Sequence, residues 1–351
     1  MDKYLSRLAR GLVPYVPGEQ PGDGDYIKLN TNENPYGPSP KVLEAIRRET
    51  GEKLRLYPDP TCDALVNAAA AKYGVKKDQV FTGNGSDEIL AFSFMAFFDP
   101  DRPIMFPDIT YSFYPVYASL FGIDYVTVPV DSGFDIRPEQ LMNSSGGVVI
   151  ANPNAPTGIA LPLSAIRRIL DGNPDTVVIV DEAYIDFGGQ SAVSLIDEYP
   201  NLLVVHTFSK SRALAGMRIG LAFGDSGLIR ALEKVKNSFN SYTLDRLALA
   251  AGVAALEDDE YYRVTVSKVK ETREWFTAEL RKRDFSVTDS SANFVFASHR
   301  SVRAEDLFRR LREKRILVRY FKKPKIDNHL RITIGTDEDM RTVIDVLDRI
   351  L

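Results

Sequence analysis

The sequence predicts an α/β protein: a mostly parallel, seven-stranded sheet with helices on both faces, accompanied by a smaller α+β domain. Three observations predict it. Seven short apolar runs lie between residues 80 and 223, namely "VF" at 80–81, "PIMF" at 103–106, "YVTVPV" at 125–130, "GVVIA" at 147–151, "VVIV" at 177–180, "LLVV" at 202–205 and "IGLAF" at 219–223. Helical patterns such as "DEILAFSFMAFF" and "LSAIRRIL" separate several of them. Strands that are apolar on both faces and alternate with helices indicate a parallel sheet covered on both sides. The last third then changes character.

Residues 1–40 are rich in Pro, Gly and Asn, with too little apolar periodicity to fold alone, so they are expected to form an arm lying over the rest. Ser39-Pro40 opens a helix, "KVLEAIRRET", because serine caps and proline is tolerated at the first helical position. The large sheet domain is expected over residues 41–245 and the small one over 246–351. The small domain begins with helical sequence, including the long amphipathic "TVSKVKETREWFTAELRKR". "FSVTDSSANFVFAS", "ILVRYF" and "HLRITIG" read as its strands. The final helix places Met340, Val343, Ile344, Leu347 and Leu351 on one face, with Thr336 as its N-cap.

The bulk properties exclude several function classes. A net charge of -4 leaves no basic surplus for a phosphate backbone, so no nucleic-acid partner is expected. The single cysteine, Cys62, cannot form an internal disulfide, and the N-terminal residues lack a secretory apolar core, so a cytoplasmic location is expected. The most apolar runs, "ILAFSFMAFF" and "LALAAGVAAL", are too short to span a bilayer and read as core helices. His206, His299 and His329 are scattered, and no H-E-x-x-H or cysteine cluster exists, which argues against a metal.

In open α/β sheets ligands bind beyond the carboxyl ends of the strands. Five strand ends here are followed by "TGNGSDE", "PDITYSFY", "NPNAPTG", "DEAY" and "HTFSK". The glycine turn before a helix suits a phosphate at the helix N-terminus, although it is neither a Walker loop nor a G-x-G-x-x-G fingerprint. Asp181, ending a strongly apolar strand, needs a cation or donor. Lys210, at a partly desolvated strand end, should lose proton affinity and become a nucleophile toward aldehydes. Arg218, eight residues on, offers a second cation for a phosphate oxygen. Gly85, Ser86, Ser209 and Arg218 could thus take a phosphate, Asp181 a basic ring nitrogen, Lys210 an aldehyde, and Tyr111 the face of the ring. Pyridoxal 5'-phosphate meets that description.

"GNGSDE", "NPNAPTG", "DEAY" and "TFSK…LAGMRIG", in this order, resemble the fold-type I pyridoxal-phosphate-dependent aminotransferases over nearly the whole chain. "LNTNENPYGPSP", "YPDP" and "LRITIGT" are similar to the histidinol-phosphate aminotransferase branch. The resemblance implies Lys210 as the amine that bonds the cofactor and shuttles the substrate α-proton, Asp181 as the partner of the ring nitrogen, and Tyr184 as the hydrogen-bond partner of the ring hydroxyl. It implies Gly85, Ser86, Asp87, Thr207, Ser209 and Arg218 around the phosphate, Tyr111 stacked on the ring, and Tyr57 reaching the cofactor of a second subunit in a homodimer. Tyr15, Asn32, Arg319 and Arg331 are implied at the substrate phosphate. Many relatives carry an asparagine where this chain has Ala155; Asn152 or Asn154 substitutes, of which Asn154 is taken as the cofactor residue, or Tyr184 acts alone. The implied reaction is ping-pong exchange between L-glutamate/2-oxoglutarate and imidazole-acetol phosphate/L-histidinol phosphate. An aromatic amino-acid aminotransferase or a phospho-amino-acid decarboxylase of the same fold is the alternative.

Overall fold

The computed structural model describes residues 2–21 and 26–351; Met1 and residues 22–25 of the expected arm lie outside the described residues. The chain opens with a short helix α1 (Arg7–Gly11), which buries no side chain, and a two-residue strand β1 (Ile27–Lys28). Helices α2 (Pro40–Glu49) and α3 (Asp63–Tyr73) lead to β2 (Val80–Asn84), α4 (Gly85–Phe97), β3 (Ile104–Pro107), α5 (Tyr114–Phe121) and β4 (Tyr125–Val128). Then come β5 (Gly147–Ala151), α6 (Leu163–Asp171), β6 (Val178–Asp181), β7 (Leu202–Thr207), β8 (Ile219–Gly224) and α7 (Ser226–Phe239). The remainder is α8 (Arg246–Glu257), α9 (Asp259–Arg281), β9 (Phe285–Val287), β10 (Phe294–His299), α10 (Ala304–Glu313), β11 (Ile316–Leu317), β12 (Arg319–Tyr320), β13 (Leu330–Thr333) and α11 (Asp337–Ile350).

Strands β2–β8 coincide with the seven apolar runs and form one seven-stranded sheet in the order β2-β8-β7-β6-β5-β3-β4. Only β8 runs against its neighbours β2 and β7. The central strands are buried on both faces with period two. Val148, Ile150, Val178, Val180, Leu202 and Val204 enter one core, while Val149, Ile179, Leu203 and Val205 enter the other. Alternating side chains of a pleated strand face opposite sides, so each face needs its own cover. The first core is covered by α3, α6 and α8 through residues such as Leu65, Ile166 and Ala251; the second by α4, α5 and α7 through Leu90, Tyr117 and Leu232.

The second body centres on a four-stranded antiparallel sheet, β12-β13-β10-β9, with its own core under α9, α10 and α11. Its strand sequence "ILVRYF" is split at Val318. The first half, β11, pairs in parallel with β1 of the arm, and the second, β12, pairs with β13. Helix α8 departs from the expected division at residue 245. Its Ala248, Ala251 and Ala255 pack with Leu65 and Ile219 in the large core, because small side chains let it lie close on that surface. Ser39 and Thr336 cap their helices as expected, Thr336 in a capping box with Asp339. Met340, Val343, Ile344 and Leu347 are buried, but Leu351 follows the helix end and is exposed.

Candidate active site

Six strands of the large sheet run in one direction, so their carboxyl ends collect along one edge, where β8 begins. A cavity of about 270 Å³ opens there between the two bodies. Asp181 is the last residue of β6 and is 5% exposed. Its Oδ2 accepts from the Tyr114 hydroxyl at 3.0 Å and its Oδ1 from the Ala183 amide at 3.3 Å. Burial pushes its pKa up to about 6, against the pull of those donors. Lys210 lies three residues beyond β7. Its Nζ donates to the Thr31 carbonyl at 3.1 Å, and its pKa is pushed down to about 8 by burial and then by the Arg331 guanidinium.

The opposite end of the cavity is built around the N-terminus of α4. Gly85 opens that helix at φ +79°, and a Cβ there would stand 2.5 Å from Arg218 Nη2, so only glycine lets the guanidinium lie against the turn. Gly220 of β8 backs the same turn, where a Cβ would meet the Gly85 carbonyl carbon at 2.6 Å. Arg218 donates to Asp87 Oδ2 at 3.0 Å, and the Tyr111 hydroxyl donates to Asp87 Oδ1 at 3.1 Å. Thr207 Oγ1 donates to Ser209 Oγ at 3.0 Å and accepts the Ser209 amide at 3.1 Å. Free helix-end amides, hydroxyls and a guanidinium form a donor set for a phosphate. With a buried carboxylate and a depressed amine in the same cavity, the residues present fit pyridoxal 5'-phosphate. Among the described residues no His/Cys/Asp/Glu group suits a metal.

The small body supplies the other wall. Arg331 of β13 donates through Nη2 to the Asn30 carbonyl at 2.9 Å, and its buried Nε has no partner among the described residues. Burial lowers its pKa. Arg319 of β12 donates to the Val16 and Pro17 carbonyls at 3.2 and 3.4 Å. Tyr15 stacks on Phe113 with ring centroids 4.8 Å apart and faces the cavity. Asn32 donates through Nδ2 to the Tyr184 hydroxyl at 2.9 Å.

One expected residue is engaged elsewhere. Asn154 does not line the cavity: its Oδ1 accepts from Thr110 at 2.9 Å and its Nδ2 donates to the Ile109 carbonyl at 2.8 Å, so the buried amide is spent on holding the neighbouring loop. Ala155 and Pro156 face the cavity instead. Tyr57 is 77% exposed and stacks on Tyr242 at 4.6 Å, outside the cavity of its own chain. Sequence reasoning missed Tyr114, the donor to Asp181, and Lys323 and Phe321 on the cavity wall. Tyr114 stands in the same "ITYSFY" motif as Tyr111, but a fully buried tyrosine there reads as packing. Lys323 sits in "FKKPK", a pattern shared with solvated turns.

Residues 24–347 match the family described as Aminotransferase class I and II, and the chain belongs to that family. Its full-length relatives carry a narrower name. It is 52% identical over 351 residues to the histidinol-phosphate aminotransferase of Clostridium botulinum (strain Okra / Type B1), covering 100% of this chain and 99% of the relative. It is 55% identical over 354 residues to histidinol-phosphate aminotransferase 2 of Dechloromonas aromatica (strain RCB), with the same coverage. Among solved structures, the histidinol-phosphate aminotransferase of Sinorhizobium meliloti, in complex with pyridoxal-5'-phosphate, superposes with a TM-score of 0.90 at 25% identity, covering 99% of this chain and 97% of that one.

Proposed function

We propose that the protein is a pyridoxal 5'-phosphate-dependent transaminase of histidine biosynthesis that exchanges the amino group between L-histidinol phosphate and 2-oxoglutarate. The observation that carries this reading is one cavity holding a depressed lysine amine, a buried carboxylate and, on the facing wall, two guanidiniums whose hydrogen bonds among the described residues go to backbone carbonyls. The names of the full-length relatives support the substrate.

When bound, the cofactor supplies an aldehyde carbon that accepts the amino group and a protonated ring that withdraws electrons. Lys210 Nζ, about half unprotonated at pH 8, would bond that carbon with loss of water and, once displaced by substrate, would move the proton at the substrate α-carbon. Asp181 holds the proton on the ring nitrogen, and Tyr184 donates to the ring hydroxyl. Tyr111 covers one ring face. Gly85, Ser86, Asp87, Thr207, Ser209 and Arg218 hold the phosphate. Tyr15, Asn32, Arg319 and Arg331 form the pocket for the substrate phosphate, where two fork-shaped guanidiniums with no carboxylate partner among the described residues suit a dianion. Tyr57 reaches the cofactor of a second copy, so the working unit is a homodimer, acting in the cytoplasm; its exposed ring supports that assignment.

Turnover of histidinol phosphate, phenylalanine and threonine phosphate by the purified protein tests the substrate. Histidinol phosphate should be preferred by orders of magnitude in kcat/KM, and equal use of phenylalanine would overturn the reading. Arg331→Ala should cost about 10²-fold in kcat/KM for histidinol phosphate, the value of one lost charged contact, with cofactor affinity retained. Equal loss of both would assign Arg331 to the frame instead.

A further inference from the structure

We propose that Asn32 is a positioning residue that fixes the direction of the Tyr184 phenolic proton, turning it into the cavity toward the ring hydroxyl. The inference rests on the cofactor reading above but not on the identity of the substrate.

The argument is a count of donors and acceptors. Asn32 is buried and sits at φ +57°, in the left-handed region that asparagine tolerates. Its backbone N–H donates to Thr333 Oγ1 at 3.0 Å. The Thr333 hydroxyl therefore accepts on that side, and its single proton goes to Asn32 Oδ1, also at 3.0 Å. Oδ1 being the acceptor that faces Thr333, the other arm of the amide must be the NH₂ group. It points at the Tyr184 oxygen, 2.9 Å away, and can only donate. The phenol thus accepts from Asn32, and its one proton is left for the cavity. Among the described residues this is the one hydrogen bond the phenol makes. Ala155, Ala292 and Phe294, which pack against its ring, offer no side-chain polar atom, and Lys210 Nζ lies 5.8 Å from the ring centroid.

The clamp is anchored in the small body. Asn32's carbonyl accepts from Asn293 Nδ2 at 3.0 Å, Leu29 donates to the Leu317 carbonyl at 2.7 Å, and Thr333 donates to the Leu29 carbonyl at 3.0 Å. The segment before Asn32 is therefore threaded between β11 and β13, while Tyr184 and Lys210 lie on the loops that follow β6 and β7 of the large sheet. Whatever holds the small body in place also holds the polarity of the phenol. One of its two amide N–H groups is committed to the phenol, so Asn32 acts on the ring hydroxyl through Tyr184.

The experiment is a spectrophotometric pH titration of the cofactor chromophore in the reconstituted holoenzyme. A donor aimed at the ring oxygen stabilises its negative charge and weakens its hold on the proton shared with the lysine nitrogen, which keeps the midpoint low. Asn32→Asp replaces the donor by an acceptor of the same shape and draws the phenolic proton away from the ring. The midpoint should rise by about one pH unit, the scale of one hydrogen bond to a charged group. Tyr184→Phe should raise it comparably, and Asn32→Asp in the Tyr184→Phe background should add nothing. An unmoved midpoint in Asn32→Asp overturns the proposal. So does a rise that persists undiminished without the phenol, since the new charge would then be acting alone. If the aspartate variant fails to fold, Asn32→Gly keeps the left-handed backbone and frees the phenol to rotate; its midpoint should rise by part of that amount, and an unchanged value overturns the idea equally. A wild-type protein that forms no chromophore overturns the cofactor reading and this one together.

Discussion

The Lys210 amine should react with aldehydes at a pH where ordinary lysines are almost wholly protonated. Its pKa falls from 10.5 to about 8 because burial strips water from the ammonium and Arg331 adds a like charge; Glu33 and Asp87 oppose the change. At pH 8 an amine with a pKa of 10.5 is neutral in roughly one molecule in 300, whereas about half of Lys210 is neutral, an advantage of about 150-fold. The assay is the rate at which cofactor-free protein bonds pyridoxal 5'-phosphate, followed by absorbance between pH 6 and pH 10. The rate should climb to a midpoint near 8 and then level off, apart from any weaker dependence of cofactor docking. Two substitutions fix the sign. Arg331→Met removes the repelling cation and should move the midpoint up; Glu33→Gln removes an attracting anion and should move it down. A wild-type midpoint above 10, or a downward move in Arg331→Met, would refute the electrostatic account of this lysine.

Asp181 is neutral in the cofactor-free cavity below about pH 6, so cofactor affinity should weaken as pH falls through that value; Asp181→Asn should abolish the dependence and lower kcat about 10²- to 10³-fold, read by equilibrium titration and steady-state kinetics. Gly85→Ala combines a left-handed backbone with a Cβ 2.5 Å from Arg218 Nη2, and should weaken cofactor binding at least about tenfold, the cost of about 1–2 kcal/mol for that backbone alone. Leu203→Ala empties a fully buried site in β7 and should cost about 2–5 kcal/mol in denaturant unfolding with kcat/KM unchanged at low temperature.

The large sheet is legible in the sequence because its central strands are buried twice over. "VVIV" and "LLVV" leave no polar face to disguise the period, and burial on both sides is what a parallel sheet demands. The active edge is legible for a related reason: a residue such as Asp181, ending an apolar run, carries a desolvation cost that must be met by a partner. What stays hidden is set by contacts distant in sequence. The amide of Asn154 is claimed by Ile109 and Thr110 of the loop after β3, and nothing in "NPNAPTG" foretells that. Tyr114 becomes the donor to Asp181 only through the packing of α5 on the sheet, a separation of 67 residues. "ILVRYF" reads as one strand, but its halves are recruited by two different partners. Helix α8 has alanines on its buried side and so gives a weak signal of which core it joins.

The two cavity arginines bear on how the proposed chemistry and recognition would be divided between the two bodies. Arg319 and Arg331 are moored by carbonyls of the arm, at Val16, Pro17 and Asn30, and by no carboxylate among the described residues. A carbonyl orients a guanidinium without cancelling its charge, so the positive field survives into the cavity. Burying such a group uncompensated is costly, and Arg331 shows that cost as a lowered pKa. A bound dianion would relieve it, whereas a monoanion would leave one charge unmatched. The same uncancelled charge depresses Lys210. Arrival of an anionic substrate should therefore raise the lysine's proton affinity at the moment when it has to take a proton from the α-carbon. On the proposed reading, recognition on the small body and proton transfer on the large one would be coupled through a single guanidinium, which a carboxylate partner at Arg331 would silence.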